Sequence, residues 1–315
     1  MKKIFLSLIL AISFSAYCFT NENNYPPPDF KRMMDDFCDA CGCSANGGGM
    51  GFSSMIDQNF AGLRYFNQSY SSRNGIFKNS PWADESFNTL QAWARIPVAK
   101  KVQFTVLVPY HFHTREPHTG SQSIQGLGDI TVIGMYILYK TSSNSTVFTH
   151  HIQAGGGIKA PTGTYDSSNN GSVNPSFQVG TGSWDYLVTT EYVLRHKNAG
   201  LNTMLNYTFK TENNKEYRFG NQFNYGSTMF YVFYNDDFTI VPQAGIAGEV
   251  YAANRQYGEY LNDTSGEILL GRFGAEAGFG RLSLGVTGML PIKQNLTGGR
   301  VEANYRWAVN VNYSL

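Results

Sequence analysis

The feature that most constrains the fold is a long alternation of apolar and polar residues with period two. Every even position from Val102 to Phe112 is apolar, and the odd positions between them are mostly polar. In segment 301–315 the odd positions are apolar and most even positions are polar. Successive side chains of a strand point to opposite faces, so each segment predicts a strand with one apolar face. Strands of soluble proteins average about 5–6 residues, whereas a tilted strand needs about 9–11 to cross a bilayer.

The same pattern predicts about twelve strands. They cover residues 60–70, 86–98, 102–113, 128–140, 147–159, 184–195, 199–210, 217–234, 238–251, 266–278, 282–291 and 301–315. Every second connection is short, and the others are longer and polar, with residues 211–216 as the exception. Bacterial outer-membrane barrels have short periplasmic turns and longer extracellular loops. The sequence therefore predicts an all-β fold, a transmembrane antiparallel up-and-down β-barrel, over residues 60–315.

The start of the chain predicts export. Two lysines precede the apolar stretch 4–14, which is too short to span a membrane, so residues 1–18 read as a signal peptide cleaved after Cys18. Acylation of Cys18 is an alternative that bulky Tyr17 disfavours. With no later apolar run of about 18 residues, we expect localisation in the outer membrane of a Gram-negative cell, with lipid as a partner. A net charge of +1 without a basic patch argues against nucleic acid as a partner.

Residues 19–59 form a Cys-, Met- and Gly-rich N-terminal arm without periodicity. Cys38, Cys41 and Cys43 lie close together there, and four methionines flank them. Thiolate and thioether ligands favour soft ions, so one interpretation is a site for Cu(I) or another soft metal. The other is one disulfide with a spare thiol, because three cysteines cannot all pair internally. The arm could also plug the barrel.

Charged and histidine side chains recur on the faces predicted to point inward. Because charge facing lipid costs about 2–4 kcal/mol near the midplane for Arg or Lys, we expect these side chains to line the lumen. One interpretation is that they form ion pairs across neighbouring strands and stabilise the wall. The other is that they line a permeation path, and the two interpretations are compatible. The candidates are Arg64, Arg95, His111, His113, Asp185, Glu191, Glu249, Arg272, Glu276, Glu302 and Arg306.

Catalytic motifs are absent from the sequence, which has no Gly-x-Ser-x-Gly elbow, His-Glu-x-x-His or P-loop. His111 and His113 share one strand face and could bind a transition metal, although polar lining is the simpler interpretation. A hydrolase at the rim, using His111, His113, Asp129 and Asp185, is an alternative. Nothing in the sequence alone shows that these side chains come together.

Two Gly-rich motifs, 126–130 and 180–185, resemble those of an outer-membrane transporter family that includes accessory barrels of the phenol meta-cleavage pathway. That family is loosely similar to the long-chain fatty-acid transporter barrels. The motif residues are Gly126, Gly128, Asp129, Gly180, Gly182, Trp184 and Asp185. The resemblance covers residues 60–315 and implies transport of small solutes, hydrophobic ones included, without naming one. From the residues themselves, glycine relaxes the backbone where a loop enters a strand, and Asp129 and Asp185 can cap loop amides.

The leading prediction is therefore an outer-membrane channel or transporter that is not an enzyme. Soft-metal handling by the cysteine cluster and hydrolysis at the rim are the alternatives. The sequence leaves the solute, the direction of flux and the oligomeric state open.

Overall fold

The computed structural model describes residue 54 and residues 59–75, 79–118, 120–141, 148–235 and 238–315. The predicted signal peptide and Cys38, Cys41 and Cys43 lie outside these residues. In the described part of the chain, no helix is long and apolar enough to cross a membrane.

Twelve long strands form a closed antiparallel barrel, which confirms the predicted fold class and strand number. β1 to β12 are Phe60–Arg73, Trp82–Ala99, Val102–Glu116, Ile130–Lys140, Thr149–Ala160, Asp185–His196, Ala199–Lys210, Gln222–Tyr231, Thr239–Tyr251, Gly266–Phe279, Leu282–Leu296 and Val301–Ser314. Each strand pairs with its neighbours in sequence, and β1 pairs with β12 to close the wall. Closure leaves no exposed sheet edge, as a lipid environment requires.

Five short strands and two 3-10 turns decorate the connections. Gln122–Leu127 extends the pairing of β3, and Phe233–Tyr234 pairs with β9. Tyr217–Arg218, Arg255–Gln256 and Glu259–Tyr260 form a separate three-stranded sheet. The 3-10 turns are Asn169–Gly171 and Thr297–Gly299.

The connections alternate between short and long as predicted, with one correction. The turns at one end include residues 100–101, 197–198 and 280–281, and this end is periplasmic by the rule for bacterial barrels. The connection predicted to be short is in fact long and covers residues 211–221. It is long because Tyr217–Arg218 belongs to the small extracellular sheet and not to the barrel wall. The short extracellular connection is instead 297–300, because β11 continues to Leu296 and pairs with Val301.

The barrel wall separates two environments. Bulky apolar side chains such as Leu63, Phe273 and Leu290 are more than half exposed on the outer face, where lipid would cover them. The interior is filled with side chains, and Phe66, Phe87 and Leu270 are almost completely buried there. Much of the described lumen is therefore packed rather than open.

The expectation that Glu302 faces the lumen is wrong. Ser69 pairs with Tyr305 and Tyr70 pairs with Ala303, so Asn304 is an extra residue in β12. Such a bulge shifts the alternation by one residue, which turns Glu302 outward and Val301 inward.

Candidate functional site

The other ten predicted lumen residues lie on inward-facing positions of their strands. Each is at most 9% exposed. They are Arg64, Arg95, His111, His113, Asp185, Glu191, Glu249, Arg272, Glu276 and Arg306. Their placement follows from the strand alternation, and their part in permeation stays a prediction.

The longest extracellular connection, residues 161–184, folds into the barrel and is called the inserted loop below. Its Phe177 is fully buried and lies edge-on against Phe87 of β2, with ring centroids 5.9 Å apart. Ser172 Oγ and Asn174 Nδ2 donate to the two carboxylate oxygens of Glu85, at 2.5 and 2.8 Å. The tip of the loop is thus attached to the inner wall of the barrel.

The carboxylate of Asp129 holds both ends of the inserted loop. It accepts hydrogen bonds from the backbone N–H of Gly163 and of Thr181, both at 2.9 Å, and from Thr181 Oγ1 at 2.8 Å. Lys159 Nζ donates to the same carboxylate at 2.9 Å. The capping role expected of Asp129 is therefore present, on amides that are far apart in sequence.

Asp185 joins the second Gly-rich motif to the first. Its Oδ2 lies 2.6 Å from Lys159 Nζ and 3.0 Å from Lys210 Nζ. The two aspartates and two lysines form a buried network with no net charge. Trp184, next to Asp185, points outward and is 52% exposed, as an interfacial aromatic residue would be.

Gly128 allows the backbone to approach the ring of His111. A Cβ at this position would lie 2.3 Å from His111 Nε2 and 3.0 Å from the side chain of Pro109. His111 cannot easily retreat, because its Nδ1 is hydrogen-bonded to Thr89 Oγ1 at 2.8 Å and its ring contacts that of His113.

Gly128→Val is therefore expected to lower the free energy of unfolding by about 1–3 kcal/mol, the usual cost of overpacking a close contact. The matched control is Gly271→Val, because a Cβ at Gly271 meets nothing closer than 3.5 Å. Chemical unfolding in detergent micelles measures both changes. Equal loss of stability in the two variants would contradict the proposed contact.

A buried ion pair crosses the interior between β9 and β12, which have two strands between them. Arg306 donates to both carboxylate oxygens of Glu249, at 2.5 and 3.2 Å. Arg306 Nη2 also donates to the Tyr70 hydroxyl at 2.6 Å, and the Tyr251 hydroxyl donates to Glu249. We call these four residues the cross-lumen bridge.

Arginine and aromatic side chains meet in the periplasmic half of the lumen. The Arg64 guanidinium lies 4.7 Å from the ring centre of Trp93, whose ring packs edge-on against Phe60 at 4.4 Å. Ser54, on the N-terminal side of β1, is 2% exposed and donates to Glu276 of β10 at 3.1 Å. This part of the N-terminal arm therefore contacts the inner wall.

An open cavity, called the vestibule below, lies between the inserted loop and the extracellular ends of β7 to β12. The cavity has a volume of about 70 Å³ and is partly open to solvent. Its lining includes Tyr70, Lys210, Phe219, Tyr251, Leu296 and Val301. Tyr70 and Tyr251 belong to the cross-lumen bridge, so the bridge forms one side of the vestibule.

Two loop groups outside the membrane have shifted ionisation. Hydrogen bonds from the side chain and backbone N–H of Ser168 lower the pKa of Asp166. Burial raises the pKa of Tyr217, so its phenol stays neutral. Asp166 therefore keeps its negative charge to a lower pH than an ordinary aspartate, and Tyr217 stays neutral to a higher pH than an ordinary tyrosine.

Sequence reasoning missed several members of these networks. Glu85, Arg115, Lys159 and Lys210 are buried lumen residues, and Arg115 Nε lies 3.2 Å from Glu85 Oε1. The alternation of side chains along each strand would have assigned these four residues to the inner face. They were missed because they lie at or beyond the ends of the predicted strands. Among the described residues, no group of three His, Cys, Asp or Glu side chains could hold a metal ion, so His111 and His113 gain no third ligand of these types there.

Residues 84–281 match the family described as "Putative MetA-pathway of phenol degradation". This stretch is more than half of the chain. The chain belongs to that family. The expected resemblance is thereby confirmed, and both Gly-rich motifs of this phenol-degradation family lie within the matched residues. A search of curated proteins finds no match.

Solved structures support the fold of this member of the phenol-degradation family. An outer membrane channel from Pseudomonas putida F1 is similar, with a TM-score of 0.62 and 14% identity over 84% of this chain and 98% of that chain. The β domain of the Bordetella autotransporter BrkA is also similar, with a TM-score of 0.50 and 10% identity over 82% of this chain and 100% of that one. Both likenesses concern the barrel fold alone.

Proposed function

We propose that this protein is an outer-membrane channel for small solutes, hydrophobic ones included, and that it is not an enzyme. The observation that carries the proposal is the vestibule, a cavity of about 70 Å³ inside the closed barrel wall, beside a lumen narrowed by the inserted loop. The name of the Pseudomonas relative, an outer membrane channel, is consistent with it.

Three features make the proposed path narrow. The inserted loop fills part of the extracellular half, the cross-lumen bridge ties β9 to β12, and Ser54 contacts Glu276 in the periplasmic half. Barrels of about 16–18 strands leave wide aqueous channels, whereas about eight strands are filled by side chains. Twelve strands with these obstructions fit selective or gated passage. In this proposal residues 1–18 direct export, and Ser54 of the N-terminal arm helps to narrow the periplasmic half of the lumen.

Single-channel recording of the mature protein in planar bilayers tests this function. We expect discrete current steps that are smaller than those of sixteen-stranded porins, because the lumen is narrower. The lumenal charges should make the current selective for ions of one sign. A channel function would be contradicted if neither the wild type nor variants lacking the inserted loop gave any current.

A further inference from the structure

We propose that one side of the periplasmic rim binds the head groups of anionic phospholipids, such as phosphatidylglycerol, in the membrane leaflet that surrounds it. The proposal goes beyond the channel function and does not depend on which solute the barrel passes. It rests on a one-sided cluster of cations and on aromatic side chains beside that cluster.

Cations are concentrated in three consecutive periplasmic turns and the strand ends next to them. The turns join β2 to β3, β4 to β5 and β6 to β7, and we call their cations the basic rim: Lys100, Lys101, Lys140, Arg195 and Lys197. The lysines are exposed and Arg195 is half-buried. Residues 96–105, 138–150 and 194–202 contain no Asp or Glu, so these segments add no negative charge to the rim.

Strand pairing makes the basic rim continuous. The backbone N–H of Ile137 in β4 donates to the Lys101 carbonyl at 2.9 Å. Farther round the wall, Lys140 at the end of β4 pairs with β5, and Arg195 of β6 pairs with the other side of β5. Because neighbouring strands lie about 4.8 Å apart, the basic rim covers an arc of about 19 Å.

The rest of the periplasmic end has a different charge. In the sequence, the turn between β8 and β9 contains Asp236 and Asp237, and the turn between β10 and β11 contains Arg281. Glu191, the acid nearest to Arg195 along β6, points into the lumen and is 2% exposed. Positive charge is therefore concentrated on one side of the periplasmic rim.

Aromatic side chains next to the basic rim mark the level of the lipid head groups. Tyr139 and Phe148 are 53% and 45% exposed, and the ring of Phe148 packs on that of His196, with centroids 4.8 Å apart. The Tyr192 hydroxyl is hydrogen-bonded to His150 Nδ1 at 2.9 Å. Such amphipathic rings are enriched at membrane–water interfaces, and clusters of Lys and Arg beside a membrane span attract anionic lipids. The two features together favour a lipid phosphate over a dissolved polyanion, which would make no use of the aromatic side chains.

Quenching of an introduced tryptophan by brominated lipids tests the proposal in the mature chain. Tyr139→Trp places a reporter beside the basic rim, and Phe233→Trp, at a position that is 54% exposed near the turn with Asp236 and Asp237, is the matched control. Each barrel is reconstituted in phosphatidylcholine with a fixed fraction of dibrominated phosphatidylglycerol or dibrominated phosphatidylcholine, and the signal of the parent barrel is subtracted. We expect phosphatidylglycerol to bind beside Tyr139→Trp about fivefold more tightly than phosphatidylcholine, and the two lipids to bind equally beside Phe233→Trp.

Two further measurements assign the preference to the lysines. Lys100→Gln/Lys101→Gln/Lys197→Gln, made in the Tyr139→Trp barrel, removes three exposed charges and should lower the preference below about twofold. Raising the salt concentration from about 0.1 M to about 1 M should do the same, because the Debye length falls from about 10 Å to about 3 Å. The salt series needs no charge variant, so it still tests the proposal if the triple variant does not fold.

Equal quenching by the two brominated lipids at Tyr139→Trp, or an equal preference in the control, would overturn the proposal. So would a preference that survives both neutralisation of the lysines and high salt. Loss of the preference on adding inorganic phosphate at constant ionic strength would show that the rim takes dissolved phosphate, which also contradicts lipid binding. Each of these results leaves the channel function standing, because conductance is measured separately.

Discussion

Replacing residues 167–178 of the inserted loop with a Gly-Ser-Gly linker is expected to raise single-channel conductance by about threefold or more. The deletion removes Phe177 from the lumen, together with the Ser172 and Asn174 contacts to Glu85. It keeps the backbone amides of Gly163 and Thr181, which bind Asp129 and close the base of the loop.

A second shortened loop is the matched control. Replacing residues 256–259 with two glycines removes part of the small extracellular sheet, which is separate from the sheet that forms the barrel wall. Conductance of this control should equal that of the wild type. Migration in unheated gels shows whether each shortened barrel is folded. If both are folded and have equal conductance, the inserted loop is not the constriction.

Arg306→Met is expected to lower the free energy of unfolding by about 3–5 kcal/mol. The substitution leaves the Glu249 carboxylate buried without the guanidinium that neutralises it. The double variant Glu249→Gln/Arg306→Met removes both charges and should recover more than half of the loss, because the cost is that of an uncompensated charge. Guanidinium titration in micelles, followed by tryptophan fluorescence, gives these values.

An exposed ion pair supplies the control for this prediction. Lys293 pairs with Glu267 at 3.0 Å, and the two side chains are 73% and 52% exposed. Lys293→Met should change stability by less than about 1 kcal/mol, as is usual for surface pairs. If Lys293→Met and Arg306→Met cost the same, the cross-lumen bridge does not stabilise the barrel as described.

Strand parity made much of the barrel predictable from sequence. Because side chains alternate strictly along a strand, the inward positions of Arg64, Glu249 and Arg306 follow from the apolar residues beside them. The prediction from this alternation was wrong at Glu302, because one extra residue in β12 exchanges the inward and outward positions that precede it in the strand. A bulge of this kind leaves no clear signal in a single sequence.

The inserted loop was not predictable in the same way. Residues 161–184 have no periodicity, and their position depends on Asp129, which lies just before β4, and on Glu85 of β2. The Gly-rich motifs did indicate important positions, but not that Lys159 joins Asp129 to Asp185. Such contacts depend on how the barrel closes, which local sequence does not encode.

The most direct test of the central claim is the rate of liposome swelling in a series of uncharged solutes of increasing size. For the wild type we predict swelling with glycerol and little with sucrose, because the inserted loop and the cross-lumen bridge narrow the lumen. The variant lacking residues 167–178 should also admit the larger solute. Swelling no faster than that of protein-free liposomes, for both barrels and every solute, would contradict the claim that this barrel is a channel.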